Sequence, residues 1–304
     1  MGKFPRFYDP GKVGTLYEPR IELAVSEGLK AGIPHSDDKS SDKKWNVLLG
    51  IDPQVGFILP GHLLTVKGAV DNIRRVIELI YLNPERFEEI IYTLDLHEDL
   101  HIFFPSWWVD REGNHPEPFT KITAEDVVKG RWRSVIMQEW SIFYVCQLGE
   151  IDIWPHHNGI GSDEARLLPS YVEAVTWFCA ARNVKPIALV KGLIKESEFY
   201  GPFKPCVIVP GHPQGNLNTE ILNLLARYGN IYEHGEAEDF CLRHANLQLL
   251  DYFAGRPDVI RRIHILKDCT SLVFPEKRQE ADQVLAEFAR KGVKIITSSE
   301  LIGS

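Results

Sequence analysis

No two of the five cysteines stand in a Cys-x-x-Cys spacing. Cys146, Cys179, Cys206, Cys241 and Cys269 are scattered and odd in number. That argues against a disulfide framework and against a thiolate zinc site. No apolar run approaches the roughly 18 residues of a membrane span, so none is expected. Blocks of Lys and Arg are missing from a chain of net charge −8. Nucleic acid and anionic membrane are therefore not expected partners. The opening Met-Gly-Lys-Phe-Pro-Arg lacks an apolar stretch, so no secretory signal is expected. A reducing cytoplasm is the natural compartment. Internal repeats are also missing.

What is present is an ordinary globular composition, 44% hydrophobic and 25% charged over 304 residues. Residues 1–44 are polar and poorly periodic and read as an N-terminal extension or arm, with a charged stretch at 36–44. From Trp45 the pattern changes, and 45–304 reads as one domain. Apolar runs at 46–51, 89–94, 186–190, 230–232, 263–266 and 293–296 predict strands. Helical spacing falls at 66–82, 171–181, 218–228, 239–253 and 275–291. Strands alternating with helices predict an α/β fold, a doubly wound, mostly parallel sheet covered on both faces. Residues 98–153 break the rhythm with four of the seven tryptophans, several prolines and a helical stretch near 124–129. They read as an insertion beside the site or at a subunit contact.

Three of the predicted strands run into a chargeable residue: Asp52, Asp95 and Lys191. A fourth is followed by a short turn, Gly-Glu-Ala-Glu-Asp-Phe, and then Cys241. In an open parallel sheet the carboxyl ends of the strands line the ligand crevice. The four residues can converge there, although each alone reads equally well as a loop residue. The chemistry of such a set is coherent. Asp52 would take the thiol proton and return it to a leaving amine. Lys191 and a helix N-terminus would favour the thiolate. Cys241 would attack a carbonyl carbon.

Asp95 and His97 share one side of an extended segment, and Trp154-Pro-His156-His157 offers another imidazole. One carboxylate with two histidines suits Zn, Fe or Mn. A competing pattern overlaps them. His97-Glu98-Asp99-Leu100-His101 matches the H-E-x-x-H zinc-protease motif, which requires a helix with Glu98 as base. The strand-like run before it argues against that helix.

The ordered set resembles the isochorismatase-like cysteine hydrolases, in their nicotinamidase branch, over about 45–298. The segments are Asp52-Pro-Gln54-Val-Gly-Phe57, Asp95-Leu-His97, Trp154-Pro-His-His157, Lys191-Gly192 and Glu236-Ala237-Glu-Asp-Phe-Cys241. The resemblance implies Asp52, Lys191 and Cys241 as the catalytic triad. It implies Asp95, His97 and His157 as ligands of a divalent metal ion. Phe57 and Trp154 would contact a flat ring. A cis peptide before Ala237 would make an oxyanion hole from the N–H groups of Ala237 and Cys241. The implied reaction converts nicotinamide to nicotinate and ammonia, within pyridine nucleotide salvage. A related small amide and a non-catalytic metal- or ligand-binding homologue are the alternatives. The chain departs from the pattern at Asn158, where Cys is usual, and at Glu238, where Thr is usual. His101, His115 and His156 remain open as further ligands, and a homo-oligomer stays open as well.

Overall fold

The computed structural model describes residues 3–34 and 45–302. The charged stretch at 36–44 lies outside the described residues. In chain order the strands are β1 (Asn46–Ile51), β2 (Glu89–Asp95), β3 (Trp108–Val109), β4 (Lys121–Thr123), β5 (Arg133–Ser134), β6 (Glu150–Asp152), β7 (Ile187–Lys191), β8 (Asn230–Gly235), β9 (Ile263–Leu266) and β10 (Lys294–Ile296). The helices are α1 (Ile21–Ala31), α2 (Val55–Ile58), α3 (Ala69–Leu82), α4 (Ala124–Val128), α5 (Gln138–Leu148), α6 (Pro169–Arg182), α7 (Thr219–Leu225), α8 (Cys241–Tyr252), α9 (Pro257–Ile260) and α10 (Arg278–Lys291).

Six strands form one sheet in the order β10-β9-β8-β1-β2-β7, and every pairing in it is parallel. The architecture is the doubly wound α/β fold expected from the alternating pattern. β1 lies inside the sheet, and five of its six residues are buried. It therefore reads as an unbroken apolar run rather than an alternating one. The chain adds β2 and β7 on one side of β1, then returns to place β8 on the other. That reversal puts the switch point between β1 and β8, where ligands bind in such sheets.

The two faces of the sheet carry separate cores. Leu48 and Ile90 face α3 and α6, while Val47, Leu49, Ile91 and Ile231 face α7, α8 and α10. The helices meet these faces with the expected spacing. In α3 the buried Ala69, Ile73, Val76, Ile77 and Ile80 form one stripe. α6 starts at Pro169, whose missing N–H costs nothing at the first helical position. α10 stops at Gly292, which adopts the left-handed conformation of a helix C-cap.

The N-terminal segment contributes Phe7, Val13 and Ala24 to the larger core. Its helix α1 packs along α6 through Gly28, where an added Cβ would fall 2.5 Å from the Trp177 carbonyl oxygen. Arg20 fixes it further by donating to both carboxylate oxygens of the buried Glu173, each at 2.8 Å. The insertion has a core of its own. Trp107, Trp108, Ile122, Val127, Tyr144 and Ile151 pack together, each large apolar side chain stabilising it by about 1.5–3 kcal/mol. The buried indole N–H groups are satisfied: Trp107 donates to Ser141 and Trp108 to the Ile102 carbonyl. Among the described residues no helix is long and apolar enough to cross a membrane.

Candidate active site

β1, β2 and β7 deliver Asp52, Asp95 and Lys191 to the carboxyl edge of the sheet, and β8 leads through a turn to Cys241 at the first residue of α8. The register puts Asp95 opposite Lys191 and Ile51 opposite Gly235. Gly235 is required there. Its φ is +117°, and a Cβ would fall 2.0 Å from the Ile51 oxygen. The Glu236–Ala237 peptide bond that follows is cis, as the resemblance implies.

Lys191 occupies the centre. Its Nζ lies 2.7 Å from Asp95 Oδ1, 3.1 Å from Asp52 Oδ2 and 3.6 Å from Cys241 Sγ. All four residues are buried. Hydrogen bonds fix the Asp52 carboxylate and the backbone at Asp95. The Asp52 N–H donates to Thr93 Oγ1 at 2.8 Å, and the Thr93 hydroxyl donates back to Asp52 Oδ1. Gln54 holds the chain at Asp95: its Oε1 accepts from the Asp95 N–H at 2.7 Å, and its Nε2 donates to the Asp95 and Ala165 carbonyls.

The electrostatics sort these groups. Burial raises the Asp52 carboxyl, and the Lys191 charge only partly offsets it. At Asp95 burial acts the same way, but Lys191 and the two imidazoles outweigh it and hold the carboxylate ionised. Burial disfavours the Lys191 ammonium, yet Asp52 and Asp95 more than reverse this. At the thiol the expected pull toward thiolate is outweighed. Burial pushes Cys241 well up, Lys191 pulls it down by less, and the neighbouring carboxylates push it up again. The surroundings thus favour the thiol form of Cys241, beside a carboxyl of raised basicity at Asp52. Helix position alone does not set a thiol's charge.

Asp95, His97 and His157 form a second group, each offering one ligand atom within 4.8 Å of the others. Asp95 Oδ2 lies 3.2 Å from His97 Nε2 and 3.5 Å from His157 Nε2. His157 Nδ1 faces the Pro155 carbonyl oxygen at 2.8 Å, so Nδ1 carries the proton and Nε2 is free to ligate. Neither ring nitrogen of the buried His97 has a hydrogen-bond partner, and burial pushes that imidazole down to about 3. A neutral, buried, unpartnered imidazole beside an ionised carboxylate fits a divalent cation.

Of the other histidines, His156 Nε2 meets the Asp99 carbonyl at 3.1 Å on the exposed side, and His115 Nδ1 meets the Trp108 carbonyl at 2.7 Å. His101 is buried and stacks on His97 at 5.1 Å, outside the three-residue group.

The H-E-x-x-H reading fails here. Residues 97–101 are not helical, and Glu98 is exposed. β2 runs to Asp95, and the His97 N–H then bonds the Asn158 carbonyl at 3.2 Å. The chain is held extended where a zinc protease needs a helix. The two departures from the family pattern are accommodated. Asn158 takes a left-handed φ of +48°, which Asn tolerates better than most residues. Buried Glu238 accepts from Lys267 and Arg278, both at 2.7 Å.

A cavity of about 390 Å³, counting its open mouth, joins the two groups. That is the small end of ligand pockets. Phe57, Trp154, Asp95, His157, Ala237 and Cys241 line it, so both aromatic candidates face the space. Glu198, Tyr200, Phe240, Leu64, Phe103 and Val273 also line it and were missed. Glu198 is 4% exposed, its Oε2 has no partner, and burial, then Asp95, push its carboxyl up to about 8. Its sequence signal was faint, one acid among Lys195, Glu196 and Glu198 in a polar turn.

No family model matches the chain, and no curated protein matches it by sequence. Solved structures do share its fold. The yeast nicotinamidase Pnc1p bound to the inhibitor nicotinaldehyde is 17% identical, with 83% of this chain and 99% of that one covered at a TM-score of 0.59. A nicotinamidase/pyrazinamidase of Acinetobacter baumanii is 22% identical, covering 86% and 100% at 0.56. The Pyrococcus horikoshii pyrazinamidase in complex with zinc is 20% identical, covering 83% and 98% at 0.50. At these identities the likeness is one of fold.

Proposed function

We propose that this chain is a cysteine amidohydrolase that cleaves a small ring amide, with nicotinamide to nicotinate and ammonia as the leading reaction. The observation that carries the reading is the contact of one buried ammonium, Lys191, with Asp52, Asp95 and Cys241 at 2.7–3.6 Å, under a cavity of small-molecule size. The solved structures of like fold include enzymes named for the same reaction class.

In this reading Asp52 accepts the Cys241 proton as sulfur attacks the amide carbon. Its raised basicity matches it to a thiol that rests protonated. The N–H groups of Ala237 and Cys241 stabilise the oxyanion. Asp52 returns the proton to nitrogen, the C–N bond breaks, and ammonia leaves. Water then hydrolyses the thioester, with Asp52 again as base, and releases the acid. Lys191 keeps Asp52 oriented and balances the buried negative charge. Asp95, His97 and His157 would hold a divalent cation, which when bound supplies a Lewis-acidic anchor for a ring nitrogen. Phe57 and Trp154 flank the ring. Five unpaired cysteines and a working thiol suit a reducing compartment such as the cytoplasm, and the leading reaction would belong to pyridine nucleotide salvage.

The test is ammonia release from a panel of small amides, with wild type and Cys241→Ala compared. The expected result is turnover of nicotinamide by the wild type, and its loss in a variant with unchanged circular dichroism. Turnover that survives in Cys241→Ala would overturn the mechanism. No release from any amide, with ring compounds still bound, would instead identify a binding protein.

A further inference from the structure

Phe119 sits where a phenylalanine is out of place. Glu117, Pro118, Phe119 and Thr120 form a turn closed by the Thr120 N–H on the Glu117 carbonyl at 3.1 Å. Proline stands second, and the third residue has a φ of +68°. This is the pattern of a type II turn, whose third position favours glycine because a Cβ there is strained. Nor does Phe119 fill a core, since 49% of it is exposed. The turn is held nonetheless. The Phe119 N–H bonds the Ile153 carbonyl at 2.5 Å, continuing the antiparallel pairing of β4 with β6. That pairing carries the ring to Trp154.

The buried half of the ring meets Trp154 edge-on at 5.8 Å and Phe274 at 6.1 Å. Phe274 lies nearly parallel to Trp154, and Phe240 meets Trp154 edge-on at 4.7 Å. Trp154 and Phe240 line the cavity, whereas Phe119 and Phe274 do not. Phe119 therefore stands behind the cavity wall. The Trp154 indole N–H donates to Tyr200 Oη at 2.8 Å, which fixes the plane of the indole on its other side.

We propose that Phe119 is a specificity-determining residue: the insertion presents it in a strained turn so that its ring braces the Trp154 wall and limits the cavity to single-ring amides. This rests on the amidohydrolase reading for the reaction, though not for the shape of the pocket. Aromatic amides with a second fused ring are the class it would exclude.

The test compares wild type, Phe119→Gly, Phe119→Leu and the control Phe143→Ala, which removes another exposed ring of the insertion. Rates are measured on nicotinamide and on quinoline-3-carboxamide. Calorimetric binding of nicotinate and quinoline-3-carboxylate and the melting temperature are measured alongside. The expected result is a rise of about tenfold or more in the two-ring to one-ring ratio of kcat/KM for Phe119→Gly. The melting temperature should hold or rise, because glycine suits the turn. Phe119→Leu should shift the ratio less, and Phe143→Ala not at all. An unchanged ratio overturns the proposal while leaving the amidohydrolase reading intact. So does equal loss on both amides with a fall in melting temperature, which marks a purely structural ring. If Phe119→Gly does not fold, an unchanged ratio in Phe119→Leu overturns it. If no amide is hydrolysed but the two acids show the same shift in binding, the reaction is wrong and the proposal stands. If neither acid binds any variant, both fall.

Discussion

The cavity has a floor and a wall built on opposite plans. The floor is polar and comes from consecutive strand ends of one sheet: Asp95 and, after β8, Cys241 reach the cavity, and Asp52 and Lys191 lie buried beneath them. Its positions are set by hydrogen-bonded register. The wall is aromatic and comes from separate loops, with Trp154, Tyr200 and Phe240 meeting through ring contacts and one side-chain hydrogen bond, from the Trp154 indole to Tyr200. A register is difficult to shift without losing the sheet, whereas a ring contact changes with one side chain. The difference teaches that, in the proposed enzyme, chemistry and selectivity are carried by parts with different tolerance to change.

The strongest way to break this division is Lys191→Met. It leaves Asp52 and Asp95 buried together without a cation. Breaking a buried ion pair costs about 3–5 kcal/mol, so both turnover and melting temperature should fall sharply. If the melting temperature holds, the floor does not depend on its central charge. Next comes Trp154→Leu, expected to raise KM for nicotinamide by roughly tenfold while kcat changes by about threefold or less. A collapse of kcat in steady-state kinetics would mean that wall and floor are not separable.

Glu198 stands at their seam. Its carboxyl is raised to about 8, by burial first, so the fold favours the neutral form. That stability is fully present below the ordinary glutamate range near pH 4.5 and is lost as pH rises through about 8. Glu198→Gln, neutral throughout, should therefore lose less stability between pH 5 and pH 9 than the wild type, by about 2 °C or more in melting temperature. Parallel melting curves in the two proteins would place the ionised carboxylate in solvent contact. The smallest effect should come from Thr123→Ala, which removes the capping box that Thr123 and Asp126 form at the start of α4. A loss of about 1 kcal/mol is expected, read as faster amide exchange in the insertion with turnover unchanged. A selectivity change would show that the wall depends on this cap.

The same contrast decides what could be read from the sequence. Asp52, Asp95 and Lys191 were legible because each ends an apolar run, and the run itself announces the strand; Cys241 was legible only through the turn that follows such a run. Wall residues were legible only where a motif contained them, as with Phe57 and Trp154. Phe240 stands inside the segment that ends in Cys241 but nothing there marks it as a wall residue, and Tyr200 carries no pattern, because its neighbours are distant in the chain. Of the four helices the sequence did not announce, α1, α2, α5 and α9, the two long ones have physical explanations. α5 (QEWSIFYVCQL) is apolar on several sides and shows little 3.6-residue contrast. α1 buries Ala24 and Gly28, so its packing face is marked by smallness rather than hydrophobicity. The resting state of Cys241 was illegible because burial, which outweighs the nearby cation, has no signature in sequence. The H-E-x-x-H match shows the converse, a pattern of letters without the helix that gives it meaning.

Lys191 touches the would-be base with the same ammonium that touches the would-be metal ligand. One charge is thus held in common by two anions. Whatever draws Asp95 away from that ammonium leaves more of it for Asp52, and the converse holds with equal free energy. Occupancy of one half of the site and proton affinity in the other are then reciprocal quantities. A titration of either, followed at fixed values of the other, would measure a single coupling constant. Lys191 is in that sense the wire between two terminals as well as a member of the proposed triad.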